Sequence, residues 1–330
     1  MSPPLDIPDP APVHGSNQFH ISADGGLAHA PGGSRVQTFW TLFKSMRPHQ
    51  WSKNLLILLP IFASHDFGAL STALIAMVAF SLTASGIYII NDIIDLPSDR
   101  AHPRKRNRPF ASGAARISHG IALAVGLIIA AFVLALFTTS AFIATLVLYL
   151  AATAAYSFWL KRKLLVDIIA LAGLYTVRIL AGAAATGIPL SPWLLAFSMF
   201  LFFSLAAIKR QAELVDQERN GQTNTPGRAY LTNDLPTIRN MAVSSGQAAV
   251  LVMALYINSP TIAGLYSEPS LMWLLCPILF YWINRMVIMT HRGFMDDDPI
   301  VFACRDKISL LCLAAMVGII IAAVFARFTF

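Results

Sequence analysis

Charge is scarce in this chain. Asp, Glu, Lys and Arg make up 12% of its 330 residues, about half the usual quarter of a soluble domain, which excludes an ordinary water-soluble fold. Cysteine is scarcer still. Cys276, Cys304 and Cys312 are the only three, and their spacing excludes paired metal ligands, so they are expected to be small packing residues. Lys and Arg outnumber Asp and Glu by 24 to 17, but the excess is spread over short connections and no nucleic acid partner is expected. Residues 1–34 lack any apolar period, and also the basic start and apolar middle of a secretory signal. Rich in Pro, Gly, Ala, Ser and His, they cannot bury enough surface to offset the entropy of ordering. A disordered tail is expected over 1–36, ahead of one transmembrane domain over 37–330. His14, His20 and His29 are too scattered for a metal site.

Apolar sequence is abundant, at 56% of the chain. Stretches of the roughly 20 residues that cross a bilayer as a helix fall near 54–66, 69–92, 117–137, 139–160, 165–186, 190–208, 239–258, 270–290 and 308–328. Backbone polar groups in lipid must be satisfied within the segment, so the expected fold is all-α: a polytopic membrane protein of nine transmembrane helices. Pro60 interrupts the first. Lys and Arg gather in alternate connections, 35–53, 100–116, 161–163, 209–239 and 285–307, and are missing from the turns near 66, 138, 188 and 262. By the positive-inside rule the N-terminus and every charged loop face the cytoplasm, as in a bacterial inner membrane, and the C-terminus lies outside. Thr38 to Trp51, with Phe39, Trp40, Phe43 and Met46 beside Lys44 and Arg47, reads as an amphipathic helix at the headgroup level. That places Arg47, Gln50, Lys53 and Asn54 near the cytoplasmic face.

The densest chemistry lies at the end of the second span. Asn91, Asp92, Asp95 and Asp99 run into Arg100, His102, Arg104, Lys105, Arg106 and Arg108. Carboxylates at that spacing suit Mg²⁺, which keeps part of its water and is completed by phosphate oxygens, while the Arg and Lys residues suit the phosphates directly. Pro97 is expected to break the helix, leaving Asp92 and Asp95 on one helical face and Asp99 in the following turn. A second cluster runs from Tyr156 through Lys161 to Asp167, Tyr175 and Arg178. The last three fall on one helical stripe, and Arg178, inside a span, needs a partner such as Asp167 or a bound phosphate. A third, Lys209, Arg210 and Glu213, closes the sixth span, where Lys209 and Glu213 stand at the spacing of an ordinary helix-end ion pair. The loop Met295 to Lys307 reads mostly as surface. Charges gathered at one face, not at the midplane, argue against a transporter.

Asn91 to Asp99 resembles the N-D-x-x-D-x-x-x-D signature of the UbiA superfamily of intramembrane prenyltransferases, and Tyr156 to Lys161 lies where that superfamily has a Tyr and Lys motif. Within it the chain is more similar to the decaprenyl-phosphate phosphoribosyltransferases. That likeness runs from Arg47-Pro48-His49-Gln50-Trp51-Ser52-Lys53-Asn54 through Arg100-Ala101-His102-Pro103, Arg178 with Ala181-Gly182, Ile188-Pro189-Leu190-Ser191, and Lys209-Arg210 with Glu213-Leu214. It covers most of residues 40–310. The resemblance implies a UbiA-type bundle with a cytoplasm-facing active site, Mg²⁺ as cofactor, phosphoribosyl diphosphate as donor and a polyprenyl phosphate in the lipid bilayer as acceptor. A homo-oligomer is compatible with it. It implies metal binding by Asn91, Asp92, Asp95 and Asp99, and catalytic parts for Asp92, Asp95, Lys161 and Asp167. Substrate binding falls to Arg47, Gln50, Lys53, Asn54, Arg100, Arg104, Lys105, Arg108, Tyr156, Tyr175, Arg178, Lys209, Arg210 and Glu213. The alternative is an aromatic prenyltransferase using a prenyl diphosphate. Most of those carry a second Asp-rich motif after the sixth span, where this chain has Lys209-Arg210 and Glu213.

Overall fold

The computed structural model describes residues 35–101, 105–223, 228–295 and 298–325, and among them the chain is helical with no strand. In order the α-helices are α1 (Arg35–Ser45), α2 (Leu59–Ser64), α3 (Leu70–Ile94), α4 (Leu96–Ala101), α5 (Ile117–Ala135), α6 (Ser140–Phe158), α7 (Val166–Thr186), α8 (Pro192–Arg219), α9 (Leu235–Ile257), α10 (Pro260–Leu265), α11 (Leu275–His291), α12 (Pro299–Ala303) and α13 (Lys307–Phe325). Eight helical stretches, built on α3, α5, α6, α7, α8, α9, α11 and α13, are long and apolar enough to cross a membrane. They alternate in direction. The ends of α3, α6, α8 and α11 and the starts of α5, α7, α9 and α13 therefore carry the charged connections at one end of the bundle.

The ninth expected span, at 54–66, is not among these eight. Pro48–Leu58 is a 3₁₀ segment and only Leu59–Ser64 is α-helical, because Pro60 has no N–H to continue an α ladder from upstream. The amphipathic helix is also shorter than expected at its far end. It begins at Arg35, so the tail boundary drawn at 36 falls inside it, and it stops at Ser45, because Arg47 precedes Pro48 and turns left-handed (φ 53°, ψ 58°); a residue before proline is disfavoured in the α region. Residues 1–34 lie outside the described residues. Phe39, Trp40 and Phe43 remain exposed with ring centroids 5.8–6.3 Å apart, Phe39 stacked on Phe43 and Trp40 edge-on to both, as a face immersed among headgroups requires.

The 3₁₀ segment is fastened to α3 and α7. Asn54 donates to Ser81 at 2.8 Å, Trp51 donates to Ser85 at 3.0 Å, and Ser85 donates to the Met46 carbonyl at 3.0 Å. Ser81, Thr83, Ser85 and their neighbours Ala79, Ala84 and Gly86 make the buried side of α3 narrow, so backbones approach closely and polar side chains bridge them. Gly182 does the same for α7: a Cβ there would overlap the Ile57 carbonyl. One turn nearer the charged end, Arg178 then reaches Asn54. The two largest of the four cores flank this junction, Phe80, Phe142, Leu146 and Tyr149 between α3, α6 and α7, and Tyr175, Phe202, Ile208 and Met286 between α7, α8 and α11.

At the α11–α13 corner Asp306 accepts two bonds from Arg285 (2.6 and 3.0 Å) and caps α13 by accepting from the Ser309 N–H at 2.8 Å. Burial alone would raise its carboxyl, but Arg285 and Ser309 outweigh burial and hold it below the usual carboxylate range. A depressed folded value means that this stability is fully present above the unfolded pKa near ~3.9 and is lost as pH falls through the folded one. Asp306→Ala is expected to cost about 2–3 kcal/mol at pH 7, read by denaturation in detergent, with the deficit shrinking at low pH. A deficit equal at pH 7 and pH 3 would remove the charge from this account.

Candidate active site

Four charge clusters meet at the charged end. The first is acidic. α3 ends at Ile94 with Asp95 as its C-cap, and α4 resumes at once, with Asp99 N–H donating to the Asp95 carbonyl at 2.8 Å. Pro97 sits in the first turn of α4, where its missing N–H has no intrahelical partner to lose. Asp99 therefore comes from a helix and not from the expected turn, and the pair that converges is Asp92 with Asp99. Both are buried, and both take Arg108, at 3.1 and 2.6 Å; Arg47 reaches Asp92 at 2.5 Å while lying over the Tyr88 ring. Asp95, expected beside Asp92, points elsewhere and remains 44% exposed in its side chain, 3.7 Å from Lys161. Asn91 is half-buried, its carbonyl taken by the Asp95 N–H.

The second cluster surrounds Arg178. It does not meet Asp167, three helical turns away. It donates to the Asn54 side-chain oxygen (3.0 Å), the Leu174 carbonyl and Tyr149 Oη (3.3 Å), and its guanidinium lies 5.3–5.5 Å from the rings of Phe80, Tyr149 and Tyr175. A cation in a membrane span is thus paired without a carboxylate.

Asp167 belongs instead to a third, buried network. It accepts from Tyr230 Oη and pairs with Arg210 at 3.1 Å and Arg228 at 3.6 Å, while Glu213 pairs with Arg210 and with Arg228 at 3.1 Å. Arg228 also donates to Tyr156 Oη at 3.2 Å. Burial and the Asp167 carboxylate both push the Tyr230 phenol above its ordinary range, so it stays a donor. Arg210 and Glu213 are therefore tied to one another, and the expected Lys209–Glu213 pair does not form.

Lys209 turns the other way, into the fourth cluster. Its Nζ lies 3.8 Å from Asp298 Oδ2, the same oxygen that Lys53 holds, and Lys53 also faces the Tyr175 ring at 5.7 Å. Burial lowers the Lys53 ammonium against the opposing pull of Asp298. Asp298, whose burial would raise it, is held below the usual carboxylate range by Lys209 and Lys53. Reading 295–307 as surface missed this residue; Asp296 and Asp297 lie outside the described residues. The signal in the sequence was Asp298-Pro299 before Ile300-Val301-Phe302, an N-cap and a first-turn proline opening an apolar helix. Arg228 and Tyr230 were missed as well, because nothing local marks two loop residues that meet a carboxylate more than 60 positions earlier. Of the remaining expected site residues, Gln50 is half-buried in the 3₁₀ segment, Arg100 and Lys105 are exposed at the same end, and Arg104 lies outside the described residues.

Arg108 shows two buried carboxylates converging on one cation. Among the described residues no three His, Cys, Asp or Glu side chains form a metal cage. Mg²⁺ needs no such cage, since one or two carboxylates, water and substrate phosphates complete it; Asp92 and Asp99, with Asp95 at the rim, fit that donor set.

The pattern of the UbiA prenyltransferase family matches residues 56–304. Nodulation protein NoeC of Azorhizobium caulinodans is 35% identical over 84% of this chain and 91% of its own length. Decaprenyl-phosphate phosphoribosyltransferase of Mycolicibacterium smegmatis is 31% identical over 86% and 92%. An uncharacterized protein of Sinorhizobium fredii, y4nM, is 37% identical over 80% of the chain, which spans only 52% of that relative. Among solved structures, a UbiA homolog from Archaeoglobus fulgidus bound to GPP and Mg²⁺ superposes with a TM-score of 0.60 at 15% identity, covering 85% of this chain and 99% of that one; this likeness bears on the fold. The chain is a multi-pass membrane protein, and it belongs to the UbiA prenyltransferase family.

Proposed function

We propose that the protein transfers 5-phosphoribose from phosphoribosyl diphosphate to a polyprenyl phosphate, releasing diphosphate, at the cytoplasmic face of a bacterial inner membrane. The observation that carries this reading is the end of α8. An enzyme that bridges a diphosphate by metal at both ends of its site needs carboxylates here, but Glu213 is already paired with Arg210 and Arg228, and the side chain turned toward Lys53 is the cation Lys209. Cations suit a phosphate monoester bound directly. The relatives named decaprenyl-phosphate phosphoribosyltransferase support the same choice.

In this reading Asp92 and Asp99, with Asp95 and Asn91 beside them, would hold Mg²⁺. Bound there, Mg²⁺ would neutralise charge on the leaving diphosphate. Lys161, Lys105, Arg104 and Arg108 share that charge as the C1–O bond of ribose lengthens and C1 gains oxocarbenium character. The acceptor is already an anionic phosphate, so no strong general base is required; the site must keep its oxygen in line with C1. Arg178 acts through Asn54, fixing the 3₁₀ segment that carries Lys53. Asp167, Arg210 and Glu213 position the α8 end and do not touch substrate.

The test is incubation in detergent with labelled phosphoribosyl diphosphate, Mg²⁺ and polyprenyl phosphates of several lengths, following label into the organic phase. Mg²⁺-dependent lipid label is the expected result. Absence of label, together with transfer from a prenyl diphosphate to an aromatic acceptor such as 4-hydroxybenzoate, would replace this reading with aromatic prenylation.

A further inference from the structure

The structure assigns Asp298 as an internal stand-in for a substrate phosphate: its carboxylate occupies the place between Lys53 and Lys209 where a phosphate monoester binds, and the ligand must displace it. Lys53 and Lys209 come from elements more than 150 residues apart, yet both aim at one oxygen, Asp298 Oδ2. The other oxygen, Oδ1, is engaged separately, accepting from the Ile300 and Val301 N–H groups at 3.0 and 3.3 Å to cap α12. The division matters. Giving up the lysines costs Asp298 none of its cap, so Oδ2 can be displaced while α12 stays in place.

The charge count points the same way. Among the described residues two ammonium groups face one carboxylate, and two of these three side chains are close to nine-tenths buried, with 9% of Lys53 and 11% of Asp298 exposed. Lys209, at 25%, is the member open to an incoming ligand. A buried pair of cations with a single negative charge between them is under-neutralised, and a phosphate monoester carrying up to two charges satisfies it better. Tyr175 presents its ring face to Lys53, which holds the ammonium in position when the carboxylate leaves. The identity of the phosphate, ribose 5-phosphate of the donor or headgroup of the acceptor, rests on the proposed reaction; the existence of the anion site does not.

The probe is inorganic phosphate, titrated by calorimetry into the full-length protein in detergent without Mg²⁺. Asp298→Asn keeps a capping oxygen and removes the competitor, so phosphate should bind about tenfold more tightly than to the unsubstituted protein, and Asp298→Ser, also a capping residue, should behave alike. Adding Lys209→Met to Asp298→Asn should abolish the gain. If Asp298→Asn and Asp298→Ser, both with an unchanged thermal midpoint, bind phosphate no more tightly, Asp298 is a helix cap alone and the inference fails. In turnover assays a lower KM for phosphoribosyl diphosphate in Asp298→Asn assigns the site to the donor, and a lower KM for polyprenyl phosphate assigns it to the acceptor. Tighter phosphate binding without any phosphoribosyl transfer in either protein would leave the anion site standing and overturn the proposed reaction instead.

Discussion

Asp92→Asn is expected to lower kcat/KM by about 10³-fold, a loss of the size seen when one preorganised charge contact at a reacting centre is removed, while the protein remains folded. The substitution keeps shape and an acceptor oxygen for Arg47 and Arg108 but removes the anion on which both converge. Two consequences separate the metal account from a purely structural one. Mn²⁺ bound in place of Mg²⁺, counted by its electron paramagnetic signal, should fall in Asp92→Asn and in Asp99→Asn. Asp95→Asn, whose side chain is 44% exposed and among the described residues meets Lys161 at 3.7 Å, should lose less metal and more of the diphosphate-dependent rate. Turnover of Asp92→Asn within tenfold of the unsubstituted protein at low Mg²⁺ would sink the assignment. Asp66→Asn, at the opposite end of the bundle where Asp66 caps a short turn through Gly68, should change none of these readouts.

The sequence and the structure agree where a local rule decides the outcome. Long apolar runs had to be helices, because lipid leaves the backbone no other partner, and alternate basic connections had to gather at one end of the bundle. Asp92, Lys53, Lys161 and Lys209 were all marked in the sequence as candidates, Asp92 because a charge at a span end is costly without a task and the lysines through the resemblance, and the structure places all four at the charged end. Pairing was not legible. Spacing along one helix suggested Asp167 with Arg178 and Lys209 with Glu213, but helix neighbours meet only when nothing better faces them. Here α8 and the connection carrying Arg228 and Tyr230 bring Asp167 partners from 43 to 63 positions away, the start of α12 brings Lys209 one from 89 positions away, and Glu213 meets Arg210 on its own helix instead. Pro97 and Pro60 show the same limit. A proline predicts a break correctly, yet whether the chain turns away or restarts as a helix, as α4 does, depends on the capping bonds that the following residues can make.

Lys209 and Arg210 are adjacent in sequence, and the structure gives them opposite consequences when lost. Arg210 is 1% exposed and is the nearest cation to Asp167, which is fully buried. Arg210→Met would leave that carboxylate with Tyr230 and the more distant Arg228, and would leave Glu213 to pair with Arg228. Removing one partner of a buried pair costs about 3–5 kcal/mol, because the remaining charge is desolvated without compensation. A fall in thermal midpoint of roughly 5–10 °C is expected in a chain of this size. Pairing the substitution with Asp167→Asn should recover part of the loss, since the uncompensated charge is then gone, and the coupling between the two measures the bridge itself. Lys209→Met removes a partly exposed cation 3.8 Å from its carboxylate; its midpoint should move by less than about 2 °C while turnover falls. If Arg210→Met leaves the midpoint unchanged and abolishes turnover as Lys209→Met does, both residues face substrate, and the separation of a phosphate-facing lysine from a bundle-holding arginine is wrong.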